Sequence, residues 1–281
     1  MTSDVAVGPP YGELITSTLR VLTWNVWGRF GPWKAREAAL INTLKVVQPD
    51  IVALQECWCA PDGETQAARL GQALGYHHAY GGGTFLADDW GTGSGLLSRW
   101  PIQFHEYREF PAIAADRWGG SALFGRVEGP RGLLPVFSVG LDWPPHASAV
   151  RQASVGHLVA FVGEMAGASF PPIVCGDFNT GPDADEIRSL TGRRDTVAPG
   201  FVLFDAWEMA GNGSGHTWAR TNPWTGRSLL PDKRIDYILV GWPRRGGGGA
   251  GHVLRCSIEG VEPADGIVPS DHYAVCAELR Y

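Results

Sequence analysis

Short apolar segments alternate with segments of helical periodicity along both halves of this 281-residue chain. Runs rich in β-branched and aromatic residues predict strands at 19–26, 51–54, 94–98, 120–127, 133–141, 171–175, 234–240, 252–258 and 273–279. Apolar residues at helical spacing predict helices at 34–47, 64–74 and 148–165. Strands from both halves mixed with helices favour an α/β (α+β) fold, in which two sheets pack face to face with the helices outside.

The ends of these segments carry signals of their own. Gln48-Pro49-Asp50 stops the first helix, and Gly75 closes the second. Asp183 and Glu186 have the spacing of a capping box and predict a short additional helix.

The chain shows no internal repeat and no clear linker. We therefore expect a lead-in over residues 1–18 and a single domain over residues 19–281. Four consecutive glycines at 246–249 lie between two predicted strands and indicate a hairpin loop rather than a domain boundary. Glycines at 91, 93 and 95 are not followed by a helical pattern, so they predict a mobile loop and not a dinucleotide site.

Charge and cysteine content limit the partners and the compartment. The formal net charge of −6 lacks the basic excess typical of a non-specific duplex binder, although a local basic patch is compatible with it. Five cysteines, an odd number, do not suggest a disulfide framework. No signal peptide and no membrane-spanning run is recognisable, so we expect a cytoplasmic protein without integral membrane association.

The apolar run 171–175 is followed directly by Gly176-Asp177-Phe178-Asn179. A carboxylate and a carboxamide two residues apart point the same way from the end of a strand. Such oxygen groups hold a hard cation, or a water molecule beside a phosphate. This stretch therefore suggests metal-dependent attack on a phosphoester.

Other polar side chains end or flank predicted strands in the same manner. Asn25 ends the first strand, Glu56 follows the second, and Ser270-Asp271-His272 precedes the last. Asp236 alternates with apolar neighbours in its strand, where it has two interpretations. It forms an ion pair with Arg234, or it orients an imidazole.

Together these segments resemble the endonuclease/exonuclease/phosphatase superfamily of metal-dependent phosphoesterases. The matching segments occur in the family's order and span nearly the whole chain: Thr23-Trp24-Asn25, Gln55-Glu56, Ser98-Arg99-Trp100-Pro101, Gly176-Asp177-Phe178-Asn179, Arg234-Ile235-Asp236-Tyr237 and Ser270-Asp271-His272. The resemblance implies a four-layer αββα sandwich built on two mixed sheets.

The resemblance also implies a division of roles. Glu56 would be the main ligand of Mg²⁺ (or Mn²⁺), with Asn25 and Asp271 completing or flanking the metal site. Asp177 and Asn179 would hold the nucleophilic water and the scissile phosphate, or a second metal.

The same resemblance assigns a role to the histidine. His272, oriented by Asp236, would bind a phosphate oxygen or transfer a proton.

One element of the family pattern is missing. Gly140 occupies the position where many members carry a second active-site histidine, while Leu141-Asp142 and Arg151-Gln152 match the pattern around it. Three accounts are compatible with this: a slower enzyme with one donor fewer, a donor such as His146 from the following loop, or a degenerate site that only binds phosphate. We favour retained activity and expect Gly140→His to raise turnover, because one lost donor typically costs about 10²–10³ in rate.

The predicted function is therefore a phosphodiesterase or phosphatase that uses metal-activated water. Its expected substrate is a phosphoester that is small, lipid-derived or part of a single nucleic-acid strand, and no obligate protein partner is evident. The alternative is a degenerate member that binds phosphorylated ligands or a protein partner. A lipid phosphodiesterase on a membrane would need an exposed apolar hairpin, and the sequence shows no such run.

Tryptophan is frequent in the predicted loops. Six residues lie in loops or just past strand ends, where an indole ring is able to stack on a base or contact lipid, although most are expected to be packing groups: Trp27, Trp33, Trp58, Trp90, Trp118 and Trp143.

Overall fold

The computed structural model describes residues 17–113, 116–167, 170–226, 228–243 and 248–281. The strands are β1 (Thr18–Asn25), β2 (Ile51–Cys59), β3 (His77–Ala87), β4 (Trp90–Ser98), β5 (Ile102–Glu109), β6 (Ser121–Gly129), β7 (Gly132–Gly140), β8 (Ile173–Asp177), β9 (Phe204–Asp205), β10 (Asp236–Val240), β11 (Val253–Glu259) and β12 (Ala274–Arg280). The helices are α1 (Trp33–Val47), α2 (Gln66–Leu74), α3 (Ser148–Met165), α4 (Asp185–Leu190) and α5 (Ala206–Ala210).

The strands form two six-stranded mixed sheets. The first has the order β11-β12-β1-β2-β4-β3, and the second has the order β5-β6-β7-β8-β10-β9. In each sheet one pair is parallel, β1 with β2 and β7 with β8, and the other pairs are antiparallel. A helix connects the two strands of each parallel pair, as such a crossover requires.

Alternation of side chains along each strand builds the layers. In β1, Val21 belongs to the cluster between the two sheets, whereas Leu22 packs with Leu40 and Leu44 of α1. The second sheet repeats this arrangement, with one face toward the first sheet and the other against α3. Successive side chains on opposite faces thus produce the four layers α, β, β and α that the resemblance implies.

The strands that sequence patterns missed lie at the sheet edges. β3, β5 and β9 are edge strands, so they lack the continuous burial that makes a central strand recognisable. The short helix α5 was also missed.

The predicted mobile loop around Gly91, Gly93 and Gly95 is wrong, because these residues belong to β4. A side chain at Gly93 would overlap the carbonyl oxygen of Gly81 in β3. These positions are glycine because the backbones approach closely, not because the segment is irregular.

The predicted short helix is present as α4, but its predicted capping box is wrong. Ala184 precedes α4 without a side-chain cap, and Glu186 is buried against Arg151. Other predicted segments fall partly outside the described residues, namely 1–16 of the lead-in and two of the four consecutive glycines, Gly246 and Gly247. Within the described residues, none of the helices combines the length and apolar character needed to cross a membrane.

Candidate active site

Strand register places three of the relevant positions side by side in the second sheet. Asp177 ends β8 and pairs with Gly140, the last residue of the parallel strand β7. On its other side, Asp177 pairs with Asp236, the first residue of β10. Both carboxylates are buried. The two aspartates therefore lie at one end of the sheet because the register of these strands aligns their ends.

His272, two residues before β12 of the first sheet, completes this group. Its Nδ1 lies 2.9 Å from Asp236 Oδ2, and its Nε2 lies 3.9 Å from Asp177 Oδ2. The other oxygen of Asp236, Oδ1, is buried and has no hydrogen-bond partner among the described residues. Arg234 pairs instead with Asp205, at 2.6 Å. Of the two interpretations of Asp236, the geometry favours the one in which it orients an imidazole.

Asn25 links the ends of the two sheets. Its Nδ2 donates to Glu56 Oε1 at 2.9 Å and to Asp177 Oδ2 at 3.0 Å. Its Oδ1 accepts a hydrogen bond from the Trp27 backbone N–H, which leaves a second lone pair available. The structure thus brings the predicted metal ligands Asn25 and Glu56 beside the predicted catalytic Asp177.

Unusual backbone conformations direct two of these side chains. Glu56 has φ +52°, and the register of β2 against β4 shifts between Leu54 and Cys57. A bulge of this kind turns a side chain away from its regular direction, and such features are frequent beside active sites. Asn179 has φ +53°, a region that asparagine tolerates better than most residues.

Asn179 is fixed by two hydrogen bonds near the end of β8. Its backbone N–H donates to Asp177 Oδ1, and its Nδ2 donates to the Leu141 carbonyl, both at 2.9 Å. The side chain therefore connects Asp177 to the segment that follows Gly140.

The electrostatics of the buried group is dominated by burial and by the proximity of like charges. Burial, followed by the charge of Asp236, raises the pKa of Asp177 to about 7. Burial alone would lower the pKa of His272, but the charges of Asp236, Asp177 and Asp271 outweigh it and hold that pKa well above the ordinary value. Within this group, the imidazole thus favours its protonated form and Asp177 takes up a proton readily.

The donor set fits a hard cation. Desolvation raises the pKa of Asp271 to about 6, and the nearby charge of Glu56 contributes to the increase. The carboxylates of Glu56 and Asp271, which repel each other, and the amide oxygen of Asn25 form an oxygen-rich set suited to Mg²⁺ or Mn²⁺. Among the described residues, Asp177, Asp236 and His272 also offer ligand atoms within 4.8 Å of one another. Three of the four predicted catalytic residues thus form one compact group, and the predicted metal ligand Asn25 adjoins it.

An indole ring covers the position of the missing histidine. A Cβ atom built on Gly140 would lie 3.3 Å from Trp118 Cη2. His146, the proposed substitute donor, is exposed on the loop after Asp142 and does not belong to the cluster of Asp177, Asp236 and His272. Among the described residues, His146 makes no hydrogen bond or ion pair with the site residues that would support this role.

The other tryptophans that the sequence analysis considers as stacking groups differ in how deeply they are buried. Trp58 is fully buried, and Arg29 stacks over both Trp58 and Trp33. Trp27 packs against Phe30 and Trp224. These residues are packing groups, as expected for most of the six.

Two tryptophans, in contrast, remain accessible. Trp118 is 42% exposed and Trp143 is 71% exposed.

Lys233 was missed by the sequence patterns. Its amine is half-buried, and its pKa is lowered by desolvation and by Arg151, while the charge of Asp177 opposes this decrease. It is therefore a cation near the buried carboxylates. The sequence feature that could have indicated Lys233 is its position three residues before the candidate site residue Asp236.

Comparison with known proteins identifies the family of this chain. A profile of the Endonuclease/Exonuclease/phosphatase family matches residues 22–272. The chain belongs to this family. Curated protein sequences yield no match to the chain.

Solved structures show the same fold. One is TDP2 of D. rerio in complex with a single strand DNA product, with 22% identity, coverage of 94% of this chain and 100% of that one, and a TM-score of 0.72. The human Nocturnin catalytic domain with bound sulfate has 18% identity, coverage of 93% and 94%, and a TM-score of 0.68. A family protein of Beutenbergia cavernae has 23% identity, coverage of 94% and 71%, and a TM-score of 0.69.

Proposed function

We propose that this protein is a metal-dependent phosphoesterase that hydrolyses its substrate with an activated water molecule. The observation that carries the proposal is the convergence of Asp177, Asp236 and His272 within 4.8 Å, at the point where Asn25 joins Asp177 to Glu56. Membership in a family of endonucleases, exonucleases and phosphatases supports it.

Glu56 and Asp271 would hold Mg²⁺ or Mn²⁺, with Asn25 completing or flanking the site. When bound, the cation would neutralise charge on the phosphoryl oxygens. Asn25 also positions both carboxylates, since its Nδ2 donates to Glu56 and to Asp177. The substrate phosphate would thus meet the junction between the two sheets.

Proton transfer would fall to the buried group. The raised pKa of Asp177, about 7, suits a carboxylate that accepts a proton from the attacking water near neutral pH. Asn179 fixes the second oxygen of Asp177 and would help place that water or the phosphate. His272, held at Nδ1 by Asp236, would present Nε2–H to a phosphate oxygen or to the leaving group.

The alternative function is phosphate binding without turnover, or binding of a protein partner. Gly140 favours it, because the position offers no donor to the developing charge. We nevertheless favour an active enzyme, because the buried proton-transfer group and the candidate metal ligands are all present.

The substrate is best sought among small, lipid-derived or single-stranded phosphoesters. The net charge of −6 disfavours bulk duplex DNA, and the single strand DNA product bound to D. rerio TDP2 supports testing a single strand. The β3–β4 hairpin exposes Phe85 and Leu86, an apolar pair too short to stand out as an apolar run in the sequence. Asp88 and Asp89 between these strands disfavour contact with an anionic membrane.

We propose a cytoplasmic location. The five cysteines are free and buried, which is consistent with a reducing compartment.

Hydrolysis of bis(p-nitrophenyl) phosphate and p-nitrophenyl phosphate tests the proposal. We expect turnover with Mg²⁺ or Mn²⁺, none with chelator, and a loss of at least about 10³-fold in Asp177→Ala. Glu262→Ala removes an exposed carboxylate and serves as the matched control, with unchanged rates. The preferred substrate distinguishes a diesterase from a monoesterase.

Metal titration by calorimetry separates the two candidate functions. Glu56→Gln and Asp271→Asn are expected to weaken Mn²⁺ binding. Metal binding to the folded wild-type protein without hydrolysis of either ester would favour the binding function and overturn the enzymatic one.

A further inference from the structure

The segment between β5 and β6 carries Trp118 to the active site. The Cη2 atom of its ring lies where it would contact a Cβ atom at position 140, 3.3 Å away. Gly140 in turn pairs with Asp177 across the β7–β8 register. The ring therefore lies one strand from the carboxylate that we place at the reacting phosphate.

The residues that follow Trp118 are anchored firmly. The Gly119 carbonyl accepts a hydrogen bond from Ser154 Oγ of α3, and the Gly120 carbonyl accepts one from the Phe110 backbone N–H. A side chain at Gly119 would overlap the carbonyl of Phe110. These contacts fix the backbone beside Trp118, so the ring is held at the site by the fold and not by a chance conformation of an open loop.

An exposed indole at this position contrasts with the histidine that many relatives carry at position 140. Its 42% exposure leaves an apolar surface beside a group of buried charges. An indole ring offers no hydrogen bond through its face, but it stacks on planar rings. Trp143, which is 71% exposed, follows the Leu141 carbonyl that binds Asn179, so a second indole lies on a segment fixed to the same site.

We propose that Trp118 is a specificity-determining residue that stacks on a nucleobase next to the scissile phosphate of a single-stranded substrate. The glycine at position 140 leaves room for this ring, so the loss of a polar donor and the gain of a stacking surface are one change. The proposal rests on the proposed function for the chemistry at the phosphate. It adds the chemical class of the group that accompanies the phosphate.

Binding measurements test the proposal without turnover. The probes are two labelled single strands of equal length, one of thymidines and one with abasic tetrahydrofuran residues, measured by fluorescence anisotropy with Ca²⁺ in place of Mg²⁺. A base stacked on an aromatic ring adds to the affinity of a strand, so we expect the wild-type protein to bind the thymidine strand about 10-fold more tightly. Trp118→Ala should reduce this ratio to near one, and Trp118→Phe should preserve most of it.

The matched control is Trp242→Ala. Trp242 is also exposed, but it lies beyond Val240, at the opposite end of β10 from Asp236. Its removal should leave the ratio unchanged. A Trp118→Ala protein that distinguishes the two strands as the wild type does would overturn the proposal, and so would a wild-type protein that binds them equally.

The two proposals fail separately. Hydrolysis of the nitrophenyl esters without any preference for the thymidine strand would refute the role of Trp118 and leave the proposed function standing. A preference that depends on Trp118, in a protein that hydrolyses neither ester, would refute the proposed function and support the stacking role.

Discussion

The His272 imidazole lies between two buried carboxylates that play different roles. Asp236 holds Nδ1 at 2.9 Å, whereas Asp177 lies 3.9 Å from Nε2, beyond hydrogen-bond distance. Asp236 therefore fixes the orientation of the ring, and Nε2 is the atom that the proposed function directs toward the substrate.

Position 140 offers a direct test at the same scale. We expect Gly140→His to raise turnover of bis(p-nitrophenyl) phosphate, because it restores a donor beside Asp177. The increase should be larger in Gly140→His/Trp118→Ala, since the new Cβ atom would otherwise lie 3.3 Å from the indole ring. Turnover numbers of the two variants and of Trp118→Ala alone measure this effect.

Gly163→His is a suitable control, because a Cβ atom at Gly163 in α3 meets no atom within 4 Å apart from the backbone of its own helix. A decrease or no change in a folded, metal-binding double variant would contradict the placement of residue 140 beside the phosphate.

At this scale the site residues were predictable where a polar side chain directly follows an apolar strand. Asp177, at the end of β8, is of this kind, whereas Glu56 lies at a bulge inside β2, and the ordered set of motifs supplied the remaining candidates. The sequence distinguishes Trp118 from the other loop tryptophans by no local feature, because its contact with Gly140 depends on how β5, β6 and β7 pack. A local pattern contains no information about that contact.

At the scale of secondary structure elements, Arg151 connects α3 to the loop behind the active site. Its Nε lies 2.9 Å from Glu186 Oε1, and its Nη1 donates to the carbonyls of Asp142 and Pro144. The two charged side chains are only 3% and 0% exposed. The segment after β7 is thus held in place from α3 and α4.

Breaking this buried ion pair should cost much of the stability. We expect Arg151→Met to lower the free energy of unfolding by about 3–5 kcal/mol, because it leaves the Glu186 charge buried and unpaired. The double variant Arg151→Met/Glu186→Met should lose less than the sum of the single variants. Urea unfolding followed by circular dichroism measures these differences.

Arg188→Met provides the comparison for this experiment. Arg188 forms an ion pair with Asp185 that is exposed to solvent on both sides, and such pairs contribute about 0–1 kcal/mol. If Arg151→Met cost no more than Arg188→Met, the ion pair would not be a structural support of the loop.

The central strands were predictable, whereas three of the four edge strands, β3, β5 and β9, were not. A central strand such as β8 is buried at all five positions, which makes its apolar run unmistakable. The edge strand β5 is mostly partly or fully exposed and carries charged residues, so its sequence resembles a loop. The predicted capping box failed for a different reason, since a tertiary contact with Arg151 claims the Glu186 side chain.

At the scale of the whole molecule, the site concentrates acidic groups where two sheets meet. The pKa values of Asp177 and Asp271, about 7 and 6, both lie above the ordinary value of 3.8. The folded, metal-free protein therefore binds more protons than the unfolded chain between about pH 4 and 7. His272, whose pKa is also raised, acts in the same direction at higher pH, since the unfolded chain releases that proton first.

We accordingly expect these groups to lower the stability of the metal-free protein as the pH rises from 5 to 8. Mg²⁺ should raise the melting temperature more at pH 8 than at pH 6, because it binds the deprotonated carboxylates. Calorimetry at pH 5, 6, 7 and 8, with chelator and with Mg²⁺, measures both trends.

Asp177→Asn isolates the contribution of the buried carboxylate and should flatten the pH dependence of the chelated protein. A shift by Mg²⁺ that does not vary with pH would show that the raised pKa values are not linked to metal binding.

The pairing of β1 with β12, in which Thr18 aligns with Arg280, has a consequence for the nascent chain. While the ribosome synthesises the protein, one edge of β1 stays open until residues 274–280 emerge, and His272 appears only just before them. Contacts of such large sequence separation form late in folding. The cluster of Asp177, Asp236 and His272 would therefore remain unassembled throughout most of translation. During that time the unpaired edge of β1 is able to pair with other chains, and chaperones would be needed to prevent this.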